Sequence, residues 1–177
     1  ITAVTTLVAG ENDTSWDAGF KPNVATSITY DFSGSDSATT GSNGNTATHT
    51  VSGVSVTANA WSRAQDTGQT WNAAHLGSYG SGNGVTDTSE NGSSPNHAVD
   101  NSGRDNFVVY RFSEPVTVDK ISLGYVDTDS DISVWIGNTT DPVTSMSNAV
   151  LASMSVINEE NLGGSSQLYT RTAGGVA

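Results

Sequence analysis

Alternation with a period of two constrains this chain more than any other feature. "TSITYDF" (26–32) sets Ile28, Tyr30 and Phe32 against Thr29 and Asp31, and "ISVWIG" (132–137) sets Ile132, Val134 and Ile136 against Ser133 and Trp135. A period of two is that of side chains on a strand with two unlike faces. "HTVSGVSVTANAW" (49–61) reads as two short strands about Gly53, with Val54, Val56 and Ala58 on one face. "NFVVYRF" (106–112) and "VTVDKISLGYV" (116–126) are separated by "SEP", whose Pro115 suits a turn because no ladder donor is needed there. Together with 132–137 they predict an antiparallel meander. Only residues 142–162 carry a helical spacing, with Met146, Val150 and Met154 four apart and a Gly pair at the end, although β-branched residues weaken it. Many short strands joined by polar loops predict an all-β fold: a single antiparallel β-sandwich of jelly-roll type over 1–177, with at most one short helix.

The connectors are long and polar. "SGSDSATTGSNGNTAT" (33–48) is of low complexity and reads as a loop. "GSYGSGNGVTDTSENGSSPN" (77–96) is Gly-rich and too long for an idle connector. Ser, Thr and Asn make up about a third of the chain. Net charge is −12 and the pI is near 4.2, a surface that repels phosphate backbones and anionic lipid heads. Nucleic acid is therefore an unsuitable partner, and divalent cations are a suitable one. There is no cysteine, so disulfides, thiolate metal sites and cysteine nucleophiles are excluded together. No apolar run approaches the length of a membrane span. The chain begins at Ile1 rather than Met, which leads us to expect that something has been removed from the front, either a secretory leader by cleavage or a segment left out for expression, and the composition resembles that of a bacterial secreted or surface protein.

Catalytic motifs are lacking. His49, His75 and His97 lie in separate segments without HExxH spacing, and no GxSxG occurs. Gly80–Gly84 lacks the Lys of a phosphate-binding loop and opens no helix, so the expectation is a protein that is not an enzyme. Sugar binding needs an aromatic face beside polar groups, and Trp71 and Tyr79, in the long loop region, are the candidate ligand contacts. Trp61 and Trp135, in or at the end of strands, suit the core instead. The comb Asp127, Asp129 and Asp131 begins like a calcium loop, but Ile132 stands where the sharp-turn Gly belongs and Asn138 where the bidentate Glu belongs. In extended chain such carboxylates sit roughly 6.5–7 Å apart, so a Ca2+ site needs a turn or oxygens from elsewhere. The turn at 99–105, with Asp100 and Asp105, is the nearest second source. The competing reading is plain turn chemistry.

"HAVDNSGRDNFVVYRFSEPVTVDKISLGYVDTDSDISVWIG" (97–137) resembles the exosortase-sorted surface proteins of Gram-negative bacteria, which carry a PEP-CTERM tail. The resemblance rests on His97, Val99, Asp100, Asn101, Gly103 and Asp105 before a strand ending in Phe112. It continues through Pro115-Val116 to the Asp129–Ser133 run and Trp135. With the similar "WNAAHLGSYGSGNGV" (71–85), it extends over about residues 71–137. It implies export, sorting by an exosortase, and residence at the cell surface or in the exopolysaccharide matrix. The sorting tail does not occur in this sequence, and the chain stops at "YTRTAGGVA", where the family pattern implies a further strand.

A sandwich one strand short leaves unpaired edge groups. The Thr/Val-rich start "ITAVTTLVAG", with Val4, Leu7 and Val8, is a strand that would complete a neighbour's sheet and build a filament, or pair within its own domain. The expected function is a non-enzymatic structural protein of the surface or biofilm matrix. The alternative is a carbohydrate-binding module that recognises extracellular polysaccharide.

Overall fold

The computed structural model describes residues 27–36, 44–65, 70–93, 96–126, 132–137, 145–159 and 168–170. These form an all-β structure with antiparallel ladders and one short helix. The strands are β1 (Thr46–Val51), β2 (Val54–Ala64), β3 (Trp71–Ala73), β4 (His75–Tyr79), β5 (Gly82–Thr86), β6 (Arg104–Phe112), β7 (Lys120–Ser122), β8 (Ile132–Ile136), β9 (Ser155–Glu159) and β10 (Leu168–Thr170). Helix α1 (Asn148–Ala152) lies between β8 and β9.

The long strand β2 organises the main sheet. β6 runs along one of its edges from Val56↔Phe112 to Ala64↔Arg104. The other edge is shared, first by β1 (Val51↔Val54 to Thr46↔Asn59), then by β3 (Trp61↔Ala73 to Arg63↔Trp71). Ser52 and Gly53, both at positive φ (52° and 85°), make the two-residue turn that matches the twist of a hairpin. Asn45 fills the gap between β1 and β3, its side-chain amide donating to the carbonyls of Ala60 (2.6 Å) and Ala74 (3.1 Å).

Alternation gives β2 its two faces. Val56, Ala58, Ala60 and Ser62 are buried on the first. The hairpin β4–β5 packs on that face, setting Leu76 and Val85 against Ala58 and Ala60, with Ala47 and Val108 alongside. Small residues on the sheet thus leave room for large ones on the hairpin. The other end of the same face is covered by residues 27–32. Tyr30 and Phe32 pack on Phe112, His49 and Tyr110, and the Tyr30 hydroxyl donates to the Val54 carbonyl.

Several local expectations are corrected. Residues 27–32 keep the alternation of half-buried Ile28, Tyr30 and Phe32, but they join no ladder. The Gly-rich stretch 77–86 belongs to a hairpin rather than a loop. Its glycines make room for a ring: a Cβ at Gly77 would collide with the Tyr79 phenol, and one at Gly84 with the His97 carbonyl. Residues 44–48 of the low-complexity stretch likewise lead into and form β1. The meander is replaced by longer-range pairing, β6 with β2, β7 with β10 and β8 with β9. The helix is confined to Asn148–Ala152, where the Ser147 hydroxyl caps it by accepting from the Val150 amide. The Ser-Val-Ile run that follows is a strand, as its β-branched residues favour.

Candidate functional site

Beyond the end of β5 the chain turns under the start of β6, and there the fold buries charge. Asp87 is 1 % exposed and Asn106 7 %. Asp87 holds its turn through one oxygen: Oδ1 accepts from the Ser89 amide (2.7 Å) and hydroxyl (2.6 Å). Its own amide donates to Glu90 Oε2 (3.0 Å), which draws a second carboxylate beside the first. A second turn, at Asp100, accepts the Ser102 amide on Oδ1 (2.9 Å), while the Asp100 carbonyl accepts the Asn106 amide (2.8 Å). Gly103, at φ 77°, lies against Ser89 and brings the two turns together.

This arrangement leaves polar atoms without partners. Of seven buried side-chain polar atoms lacking a hydrogen bond among the described residues, five belong to Thr86, Asp87, Arg104 and Asn106. They include Asp87 Oδ2 and both ends of the Asn106 amide. Folded proteins leave few such atoms, and a concentration of them indicates a missing water or ion. The carboxyls register the same tension. Burial pushes the Glu90 pKa up, with the negative charges of Asp100 and Asp87 adding to it. Burial likewise raises Asp100, and Asp87 again adds. As the side chains stand, no three acidic or histidine groups among the described residues converge into a metal-binding set.

The fold divides the two acids expected of the 99–105 turn. Asp100 faces Glu90 and Asp87, whereas Asp105 pairs with Arg63, Oδ2 to Nε 3.2 Å. Asp127, Asp129 and Asp131 lie outside the described residues, as do Val4, Leu7 and Val8. Asp87, Glu90 and Asn106 escaped the sequence reading. Their signal is the run Asp-Thr-Ser-Glu that follows Val85-Thr86, within the long Gly-rich connector.

The candidate sugar contacts are engaged by the protein itself. Trp71 Nε1 donates to Asn148 Oδ1 (2.6 Å), its ring packs on Phe107 (centroids 4.7 Å apart), and the Arg63 guanidinium stands 5.3 Å from its centre. Trp61 is buried, as expected of a core residue, whereas Trp135 packs on Phe107 (5.9 Å) and is only partly buried. Tyr79 stacks on His97 at 4.1 Å, and burial raises its phenol pKa. The histidines serve packing: His49 sets its ring edge-to-face with Phe32, His75 is buried in β4, and His97 lies on Tyr79 with Nδ1 3.2 Å from the Gly92 carbonyl. No helix among the described residues is long and apolar enough to cross a membrane.

No family model, no curated protein and no solved structure matches the chain significantly.

Proposed function

We propose that this is a non-enzymatic structural protein of the bacterial surface or extracellular matrix that self-associates by strand addition. One observation carries the reading: the outer edge of β1 has no strand partner among the described residues. Its sequence, TATHTV, contains no Lys, Asp, Glu or Pro, the residues that ordinarily protect an edge from pairing with another chain. Its exposed face is a row of hydroxyls already bonded across to β2, Thr48 to Thr57 (3.1 Å) and Thr50 to Ser55 (2.7 Å). That leaves an uncharged edge whose remaining valence is its main chain, the acceptor that β-augmentation uses. The segment with Val4, Leu7 and Val8 is the proposed donor from a neighbouring copy.

The acidic, cysteine-free composition and the resemblance of residues 71–137 to exosortase-sorted proteins support the location. The partners found for Trp71 and Tyr79 favour this reading over a carbohydrate-binding module, which needs aromatic faces open to the sugar.

Negative-stain microscopy of the purified chain tests the proposal. Filaments or short oligomers are expected, lost on deletion of residues 1–10 and on the double change Thr48→Lys and Thr50→Lys, with circular dichroism retained. Monodisperse single particles at high protein concentration would sink it.

A further inference from the structure

We propose that Asp87, Glu90, Asp100 and Asn106 form a calcium site that fastens the turns at 87–90 and 100–103 to the start of β6. The inference is independent of strand addition. Asp87 alone would be a weak argument, since a buried carboxylate can serve its own turn. Its Oδ1 does serve the turn, through Ser89, but Oδ2 is buried and bonded to nothing. The second observation comes from a different strand and a different chemistry. Asn106, on β6, is 93 % buried (7 % exposed), and neither its amide oxygen nor its amide nitrogen has a partner. Its backbone amide donates to the Asp100 carbonyl, and its side chain lies near the Glu90 carboxyl without completing a hydrogen bond to it, so it stands between the two acids.

A carboxylate oxygen and an amide oxygen, buried without partners beside two further carboxylates, make a hard-oxygen set. Calcium takes six to eight such oxygens from carboxylates, Asn amides, carbonyls and water, and it tolerates irregular geometry. Zinc would want imidazole or thiolate. The chain has no cysteine, and no three acidic or histidine groups among the described residues converge into a set that would suit zinc. The three carboxylates do not meet at one point as they stand. Binding would therefore draw Glu90 or Asp100 inward by side-chain rotation, each being only half-buried and each keeping one oxygen for its turn. An ion there would answer Asp87 Oδ2 and the Asn106 oxygen together. It would also offset the mutual repulsion of the acids.

Calorimetric titration of the EDTA-treated full chain with CaCl2, with MgCl2 in parallel, tests the site. One saturable ion is expected, with Ca2+ preferred over Mg2+ and a melting temperature that climbs with free Ca2+. Asp87→Asn should weaken binding at least tenfold. Glu90→Gln, which leaves the buried residues intact, should weaken it several-fold, and exposed Asp31→Asn should change nothing. If Asp87→Asn does not fold, the wild-type titration and Glu90→Gln decide. Absence of heat and of any melting shift at millimolar Ca2+ overturns the proposal, and so does Mg2+ binding as tight as Ca2+. Calcium binding kept in Asp87→Asn and Glu90→Gln but lost in Asp129→Asn would assign the ion to the 127–131 comb, and would equally overturn it.

Discussion

Asp105 and Asn106 are neighbours on β6, and they fall on opposite faces of the same sheet. Asp105 meets Arg63 across the ladder, and Arg63 in turn lies over Trp71 and Phe107 and donates to Asn148 (3.3 Å). Around Arg63, charge and aromatic surface answer one another with protein groups, and only Trp61 Nε1 on that face is buried without a partner among the described residues. Asn106 looks to the other face, where its own amide, Asp87 Oδ2 and Arg104 Nη2 are buried and left unmatched. One residue of register thus separates a polar cluster that satisfies itself from one that does not. The difference shows where a protein with few charges has spent them. A self-satisfied cluster needs nothing from solution, and the other is poised for a guest.

Three substitutions sharpen the contrast. The largest effect is expected from Gly84→Ala, on the hairpin that covers the acid side. Its Cβ would meet the His97 carbonyl and come within 3.0 Å of the Tyr79 ring. Backbone cannot yield as a flexible side chain does, so the cost is about 3 kcal/mol, and thermal melting should fall by roughly 6–12 °C. Arg63→Ala attacks the self-satisfied face. Losing a part-buried ion pair and two ring contacts costs about 2 kcal/mol, with the same loss in EDTA and in Ca2+. Asp87→Asn should act in the opposite direction. In EDTA it replaces a buried carboxylate whose Oδ2 has no partner by a neutral amide, so urea unfolding should show a gain of about 1 kcal/mol. In Ca2+ that gain should vanish or reverse. Equal losses for Arg63→Ala and Asp87→Asn in EDTA would erase the distinction between the faces.

The sequence made the long strand of this sheet legible and hid what pairs with it and what covers it. Val54, Val56 and Ala58 announced β2 by alternation, and the Ser52-Gly53 turn stood where the pattern broke. Periodicity is local, so it survives in the fold unchanged. Pairing is not local: nothing in "NFVVYRF" indicates that it lies beside β2 rather than beside the strand that follows it. The hairpin 75–86 was hidden for a related reason. Glycine usually signals a loop, but Gly77 and Gly84 are there because the Tyr79 ring and the His97 segment need the space, a requirement visible only after folding. The acid pocket inherits both difficulties. Asp100 was visible as a turn residue, but its companions Asp87, Glu90 and Asn106 come from two other segments joined by that hairpin and that long-range ladder. Asp105 looked equivalent to Asp100 in sequence and is separated from it by the pleat.

The smallest effect, and the one that most directly reads the tension in the pocket, is that of pH. Glu90 and Asp100 have folded pKa values above their unfolded values of about 4.5 and 3.8, chiefly through burial. Between the unfolded and folded values the native state holds more protons than the unfolded chain, so stability falls as pH rises through that window. Above it the deficit remains in full. EDTA-treated protein should therefore gain stability as pH is lowered from 7 through the raised pKa values toward about 4.5, the unfolded value of Glu90, where that residue's gain nears completion. The gain is modest because both side chains are partly open to water, which screens them. Exposed Asp31 behaves oppositely: hydrogen bonds from Ser33 lower its pKa, and what it contributes is lost only as pH falls below its ordinary value of about 3.8. The two windows do not overlap. Urea midpoints measured from pH 7 to 4.5 should rise in EDTA, and the rise should flatten in Glu90→Gln. In saturating Ca2+ the trend should invert, because protons then compete with the ion for the same oxygens. A midpoint that falls steadily with acid in EDTA would mean that these carboxyls are not strained by their burial.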